Sequence, residues 1–299
     1  MGERVSEHGV ERLEQSAWRA RIEAHEVRLA PLLGDYVEGR GRGLKDPVRD
    51  FLFEYYSFRP ARLGRWTPGL GVVLEGAGLD DLALFKGVEV VEGGVGLLAS
   101  GFPAHRREGA AWILGLLKAT RGRAPFSGCY GMHEWAMVYR AEAVRHEQVP
   151  MRMSPEALAA FVESRPVVCS HYDAFRFFTP EARPLNRHQP TFEAMSDNEQ
   201  PGCLHANMDL YRWSYKLYPW IASELIVDAF ELAMEARVID MRASPYDLSG
   251  QGFDAIPLET PEGRRQYQEL QADIARRGAP LRDRLIAAYE RLLALVPVP

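Results

Sequence analysis

The 299-residue sequence predicts an α+β fold, a helix-rich single domain with a small antiparallel sheet. Apolar residues recur at helical spacing over long stretches toward both ends, while shorter apolar runs bounded by Gly and Pro read as strands. The length is also sufficient for one large domain with a substantial core. The outline is one catalytic domain over residues 1–299, with a helical N-terminal part (about 1–125), a small sheet (about 126–180) and a helical C-terminal part (about 205–299).

Taken in order, residues from about 10 to 33 and from about 104 to 120 carry the spacing of amphipathic helices. Between them, Val88-Glu-Val-Val-Glu-Gly-Gly-Val-Gly-Leu-Leu reads as a hairpin, with Gly93-Gly94 at its turn. Three strand-like pieces follow: Trp135 to Arg140, Arg145 to Met153 and Val167 to Phe178. A helix interrupts them, capped by Ser154 and started by Pro155-Glu156. From Met208 the pattern is helical again, over 208–218, 221–241, 262–277 and 279–295, with Pro219, Pro245, Pro261 and Pro280 as breakers.

Composition narrows the function classes. The chain is 46% hydrophobic and 26% charged, as in ordinary globular proteins. No stretch reaches the roughly 18 uncharged apolar residues of a membrane span. The start, MGERVSEHGVERLEQ, is charged throughout, so a cytoplasmic location is the expectation. There, three cysteines read as reduced thiols rather than a disulfide framework, and individually as packing residues. A net charge of -5 does not indicate DNA as a partner. Arg40, Arg42, Lys45 and Arg49 form a local basic cluster that reads as a solvated face.

Five of the eight histidines fall between positions 133 and 205. Three of them recur with a cysteine and a carboxylate: Cys129 with His133-Glu134, Cys169 with His171 and Asp173, Cys203 with His205 and Asp209. These side chains bind metals and move protons near neutral pH. An extended segment would put Cys169, His171 and Asp173 on one face. Helical spacing sets His205 and Asp209 one turn apart, suiting an oriented imidazole. Tyr246 and Asp247, in a turn after a helix end, are further candidates for acid and base roles. Arg183, Asn186, Arg187 and His188, in a proline-rich loop, join Asn207 and Arg242 as candidates for binding a polar or anionic ligand.

The blocks His133-Glu-Trp-Ala-Met-Val-Tyr-Arg, Cys169-Ser-His-Tyr-Asp-Ala-Phe-Arg-Phe-Phe-Thr-Pro, Gln200-Pro-Gly-Cys-Leu-His-Ala-Asn-Met-Asp-Leu-Tyr and Asp240-Met-Arg-Ala-Ser-Pro-Tyr-Asp resemble those of a bacterial family commonly labelled 3-methyladenine DNA glycosylase. The resemblance runs from about Asp46 to Tyr289. It implies a hydrolase acting on the N-glycosidic bond of an alkylated or modified purine in DNA or a nucleotide. An aspartate such as Asp173 or Asp209 would then stabilise positive sugar character or activate water.

The residues themselves support an alternative. His133, Glu134, His171 and His205 are candidate ligands of a divalent metal such as iron, serving hydrolysis or oxygen chemistry on a small polar substrate. In both readings the partner is a small-molecule or nucleobase-containing substrate.

Overall fold

A glycine lets two backbones approach where a side chain would clash. In the computed structural model, which describes residues 10–82, 85–144 and 147–296 and the backbone of Arg4 and Val5, five strands form one sheet. They are β1 (Arg4–Val5), β2 (Glu11–Leu13), β3 (Val72–Glu75), β4 (Val88–Val91) and β5 (Gly94–Leu97), in the order β1-β2-β3-β5-β4. The β4–β5 hairpin is the expected one, turning at Gly93 with φ of 78°. On the other edge of β5, a Cβ at Gly94 would stand 2.1 Å from the Leu74 carbonyl oxygen, so only glycine fits that pairing with β3.

The fold is helix-rich α+β, and the sheet is mixed rather than purely antiparallel, because β2 runs parallel to β3. Nor does it lie in residues 126–180. The strand-like run from Trp135 lies largely in α4 (Met132–Ala136) and the turns after it, and Tyr172–Phe175 forms a helical turn, α6. Arg145 and His146 lie outside the described residues. Among the described residues of that stretch, only isolated bridges remain, Met151 with Tyr246 and Val167 with Asn186. A short apolar run is compatible with strand or buried helix, and here no partner strand decides for the former.

The helices are α1 (Gln15–Gly41), α2 (Pro60–Leu63), α3 (Arg107–Arg121), α4, α5 (Pro155–Glu163), α6, α7 (Met195–Asn198), α8 (Leu204–Tyr215), α9 (Ser223–Arg242) and α10 (Pro261–Leu295). The start of α5 follows the sequence signals: the Ser154 hydroxyl accepts from the Ala157 amide and Pro155 occupies the first turn. The expected break at Pro280 is absent, and α10 runs through it. Its missing amide costs one bond, which the packed helix tolerates.

The chain divides into two compact units. One comprises Met1–Leu114, Tyr211–Phe230 and Asp283–Pro299. In it, Leu13, Trp18, Trp66, Val72, Leu74, Leu82 and Val95 form a core beside the sheet. The Trp18 indole donates to the Glu75 carbonyl. Two members of the basic cluster are paired locally, Arg49 with Asp35 and Asp46, Arg40 with Asp50 and Glu54. The aromatic run of α8 packs, as the ring of Tyr215 stacks on Phe58 at 4.7 Å. The other unit comprises Gly115–Leu210 and Glu231–Arg282 and contains all of the candidate site.

His25 of α1 is buried, with Nε2 2.9 Å from the Leu63 carbonyl oxygen. Burial is the main cause that lowers its pKa. The folded state therefore favours neutral imidazole, and the stability this gives is present above the unfolded pKa and lost as pH falls through the folded one. The urea midpoint is expected to fall as pH drops from 7 toward 5. His25→Gln should flatten that part of the slope; an unchanged slope would refute the assignment.

Candidate metal centre

Four local features of the second unit bring the site together. Trp135, fully buried on α4, donates its indole N–H to the Ala243 carbonyl at 2.9 Å, tying α4 to the end of α9. This register sets His133 and Glu134 against Asp240 and Arg237, which are one turn apart on α9. Asn186 brackets Cys169: its Oδ1 accepts from the Cys169 amide at 2.7 Å and its Nδ2 donates to the Cys169 carbonyl at 2.9 Å. Two residues on, His171 caps α6, its Nδ1 accepting from the Ala174 amide at 3.3 Å. Asn207 ties down the start of α8 by donating to the Pro201 and Cys203 carbonyls and accepting from Arg282.

The result is two buried triads, His133 with His205 and Asp240, and His171 with Glu199 and Asp209. Within each, one candidate ligand atom per residue lies within 4.8 Å of the others, which makes each a candidate ligand set for a metal ion. His133 Nε2 is 2.6 Å from Asp240 Oδ1, and His205 Nε2 is 4.0 Å from Asp240 Oδ2. In the second triad, His171 Nε2 is 3.2 Å from Asp209 Oδ2 and 3.5 Å from Glu199 Oε1. The triads adjoin at His205, whose ring centroid is 4.5 Å from that of His133 and 5.3 Å from that of His171.

Charge is distributed unevenly across these groups. Burial opposes protonation of His133, but the charge and hydrogen bond of Asp240, with a further contribution from Cys129, raise its pKa well above the ordinary value. His171 is raised against burial by Glu199 and Asp209. His205 is pushed well below by burial and by its histidine neighbours, so it is neutral, with a lone pair available. Asp240 is held low despite burial by the charge and hydrogen bond of His133 and by Arg237. Arg237 Nη1 reaches Glu134 Oε1 at 2.7 Å and Asp240 Oδ2 at 2.8 Å, completing a buried charge network.

The three cysteines lie beside these groups. Cys129 Sγ is 3.5 Å from His133 Nδ1. All three are free thiols, and they line a cavity of about 10 Å³ with His133, His205, Tyr267 and Gln271. A hydrogen bond with Cys169, then His133, pulls the Cys129 pKa well down, while the same bond and burial push Cys169 up.

Other expected partners differ. His205 and Asp209 are one turn apart on α8, yet Asp209 serves His171 and His205 faces Asp240. Asp173 lies in α6 rather than on an extended face, and pairs with Arg176 at 3.2 Å. Glu134 is taken by Arg237 and belongs to neither triad. Asp247 accepts from the Ser249 amide in a turn, and Tyr246 bridges to Met151; neither is in a triad.

The proposed ligand-binding residues are mostly occupied elsewhere. Asn186 and Asn207 are buried brackets, Arg242 donates to the Asp254 carbonyl, and Arg183 donates to the Arg176 carbonyl. The exposed Arg187 holds the Val167 carbonyl through its backbone amide, and the His188 carbonyl accepts from Asn186. Sequence reasoning missed Glu199, Arg237 and Asp240 as site members. Asp240 and Arg237 carried at most a weak signal, an i,i+3 acid and base on a helix with several other charged residues; Glu199, in a polar stretch, carried none.

No family model matches the chain, and no curated protein or solved structure is similar to it at a significant level.

Proposed function

We propose that this protein is a metal-dependent enzyme in which His133, His205 and Asp240 hold one divalent ion, and His171, Glu199 and Asp209 hold a second. The observation behind this is the convergence of six imidazole and carboxylate groups, all buried, into two adjoining ligand sets. Buried charges of this kind are paired or coordinate metals. Two histidines and one carboxylate suit iron, and the second, carboxylate-richer set suits iron or manganese. The side-chain Oε1 of Gln271, buried on the same cavity, accepts from no group among the described residues, which fits a site completed by a further species. A bound divalent ion supplies Lewis acidity and an activated water, and iron adds oxygen chemistry.

The protein's own residues define the rest of the site. Arg237 balances and orients Asp240, and Glu134 in turn holds Arg237. Asn186 fixes the segment that presents His171. Hydrolysis of an N-glycosidic bond, as the family resemblance implies, is one reaction within reach of such a centre. Of the two aspartates, Asp209 belongs to the centre, where it pairs with His171, whereas Asp173 is in neither triad and pairs with Arg176.

Elemental analysis of protein purified without added metal is expected to show close to two equivalents of iron or manganese. Protein that is metal-free as isolated, and that binds no iron, manganese or zinc on titration, would overturn the reading. Base release from alkylated DNA or nucleosides by the loaded protein then tests the glycosidic reaction.

A second reading follows from one contact chain. Cys129 Sγ, His133 Nδ1 and Nε2, and Asp240 Oδ1 stand in line at 3.5 and 2.6 Å, the order of a nucleophile, base and orienting acid. On this reading the metal-free protein is alkylated by iodoacetamide selectively at Cys129, and His133→Gln slows the reaction at least tenfold. Equal labelling of all three thiols would exclude it.

A further inference from the structure

A second cavity in the same unit, outside both triads, has a volume of about 360 Å³, at the lower end of the ~300–1,000 Å³ range of small-molecule sites. Its walls combine two kinds of side chain. Tyr130, Met132, Phe161 and Leu258 supply apolar and aromatic surface, and Arg165, Arg264 and Arg265 supply three guanidinium groups. Among the described residues, no carboxylate lines it. Arg264 is oriented by donating to the Leu258 carbonyl at 2.8 Å. Arg265 has a solvent-exposed partner in Glu262 at 3.3 Å, while Arg165 has no ion-pair partner among the described residues. Three cations without a lining anion, beside aromatic rings, match a ligand that carries an anionic group on a flat apolar body.

The position of this cleft links it to the histidines. Tyr130 and Met132 line it, and the next residue, His133, is a triad member. Between them, Gly131 has φ of 70°, and a Cβ there would stand 3.2 Å from the Tyr267 ring and 3.3 Å from Leu258. Tyr267 in turn lines the small inner cavity with His133, His205 and Cys129. The Tyr267 ring thus lines the inner cavity and also packs beside Gly131, whose two neighbours line the cleft. Tyr130 itself has φ of 47°, in the left-handed region that a non-glycine residue seldom occupies. Strain of this sort persists where surrounding structure holds it, and it clusters beside functional sites.

We propose that this cleft is the substrate seat of the histidine-carboxylate centre and that its substrates are organic anions, a phosphate ester or carboxylate on an aromatic or similarly flat apolar group. The assignment of substrate class rests on the metal-centre reading for the reaction, whereas anion binding in the cleft does not.

Isothermal titration with phenyl phosphate, benzoate and the neutral benzyl alcohol tests it on the full-length protein. Saturable binding of phenyl phosphate, benzoate or both is expected, with benzyl alcohol at least tenfold weaker. Whichever of the two anions binds more tightly identifies the charged group. The paired variant Arg165→Gln/Arg265→Gln, both residues exposed, should weaken anion binding at least tenfold while metal content stays unchanged. His205→Ala should do the reverse, lowering metal content and leaving anion binding within about twofold. Absence of saturable binding by either anion, or binding indifferent to the arginine pair, would overturn the cleft assignment whatever the metal analysis shows. A metal-free protein that still binds the anions through these arginines would instead defeat the reading of the centre and, with it, the link to substrate.

Discussion

Arg237→Ala is expected to lower the free energy of unfolding by about 3–5 kcal/mol, the range for removing one partner of a buried ion network. Arg237 is 2% exposed, and its Nη1 lies between Glu134 and Asp240, themselves 5% and 0% exposed. Removing it leaves two buried carboxylates with only His133 and its neighbours to balance them. Burial already raises the Glu134 pKa against the pull of Arg237, so the variant should recover part of its stability at mildly acidic pH, where Glu134 protonates. A folded-state pKa above the unfolded one makes that contribution larger as pH falls. Glu134→Gln in the same chain should likewise restore part of the loss. Urea unfolding of the chelated protein measures all three. An Arg237→Ala variant within about 1 kcal/mol of wild type would show that the network carries little of the fold.

Metal loading should be the larger effect in the opposite direction. An ion that binds only the folded chain, at a thousand times its dissociation constant, stabilises by about 4 kcal/mol. Two independently filled triads would therefore add roughly twice that. His171→Ala should remove one equivalent of metal and about half of the thermal or urea stabilisation, leaving the set of His133, His205 and Asp240 in place. Asp240→Ala should remove the other equivalent and also release Arg237. Asn186→Ala, which touches no triad member directly, should weaken binding at the His171 set by roughly 10–100-fold, as losses of supporting groups around metal ligands do. Metal-dependent shifts of equal size in wild type and His171→Ala would refute the division into two sets.

The helices were largely legible because their signals are local. The 3.6-residue periodicity of α3 and α10, and the Ser154-Pro155 start of α5, depend on neighbours within a few turns. The β4–β5 hairpin was legible for the same reason, since its Gly93-Gly94 turn is written in two adjacent residues. The partners of that hairpin were not. Glu11–Leu13 is three residues long, and it pairs in parallel with Val72–Glu75 across a long separation that no local pattern encodes.

What the sequence by itself determined is part of the residue inventory of the candidate site: His133, His171, His205 and Asp209 stand out because imidazoles and acids crowd one stretch of an otherwise ordinary chain. Which acid meets which imidazole was decided only by tertiary structure. Asp209 lies one turn from His205 on the same helix and yet bonds to His171, because neighbouring side chains on a helix face project outward side by side toward groups on other elements. Asp240 and Glu199 join the triads only when α9 and the end of α7 are packed beside them. Sequence spacing reports what a residue is and which way it projects; the partner at the end of that projection is set by long-range packing, where the energy of a buried charge is won or lost.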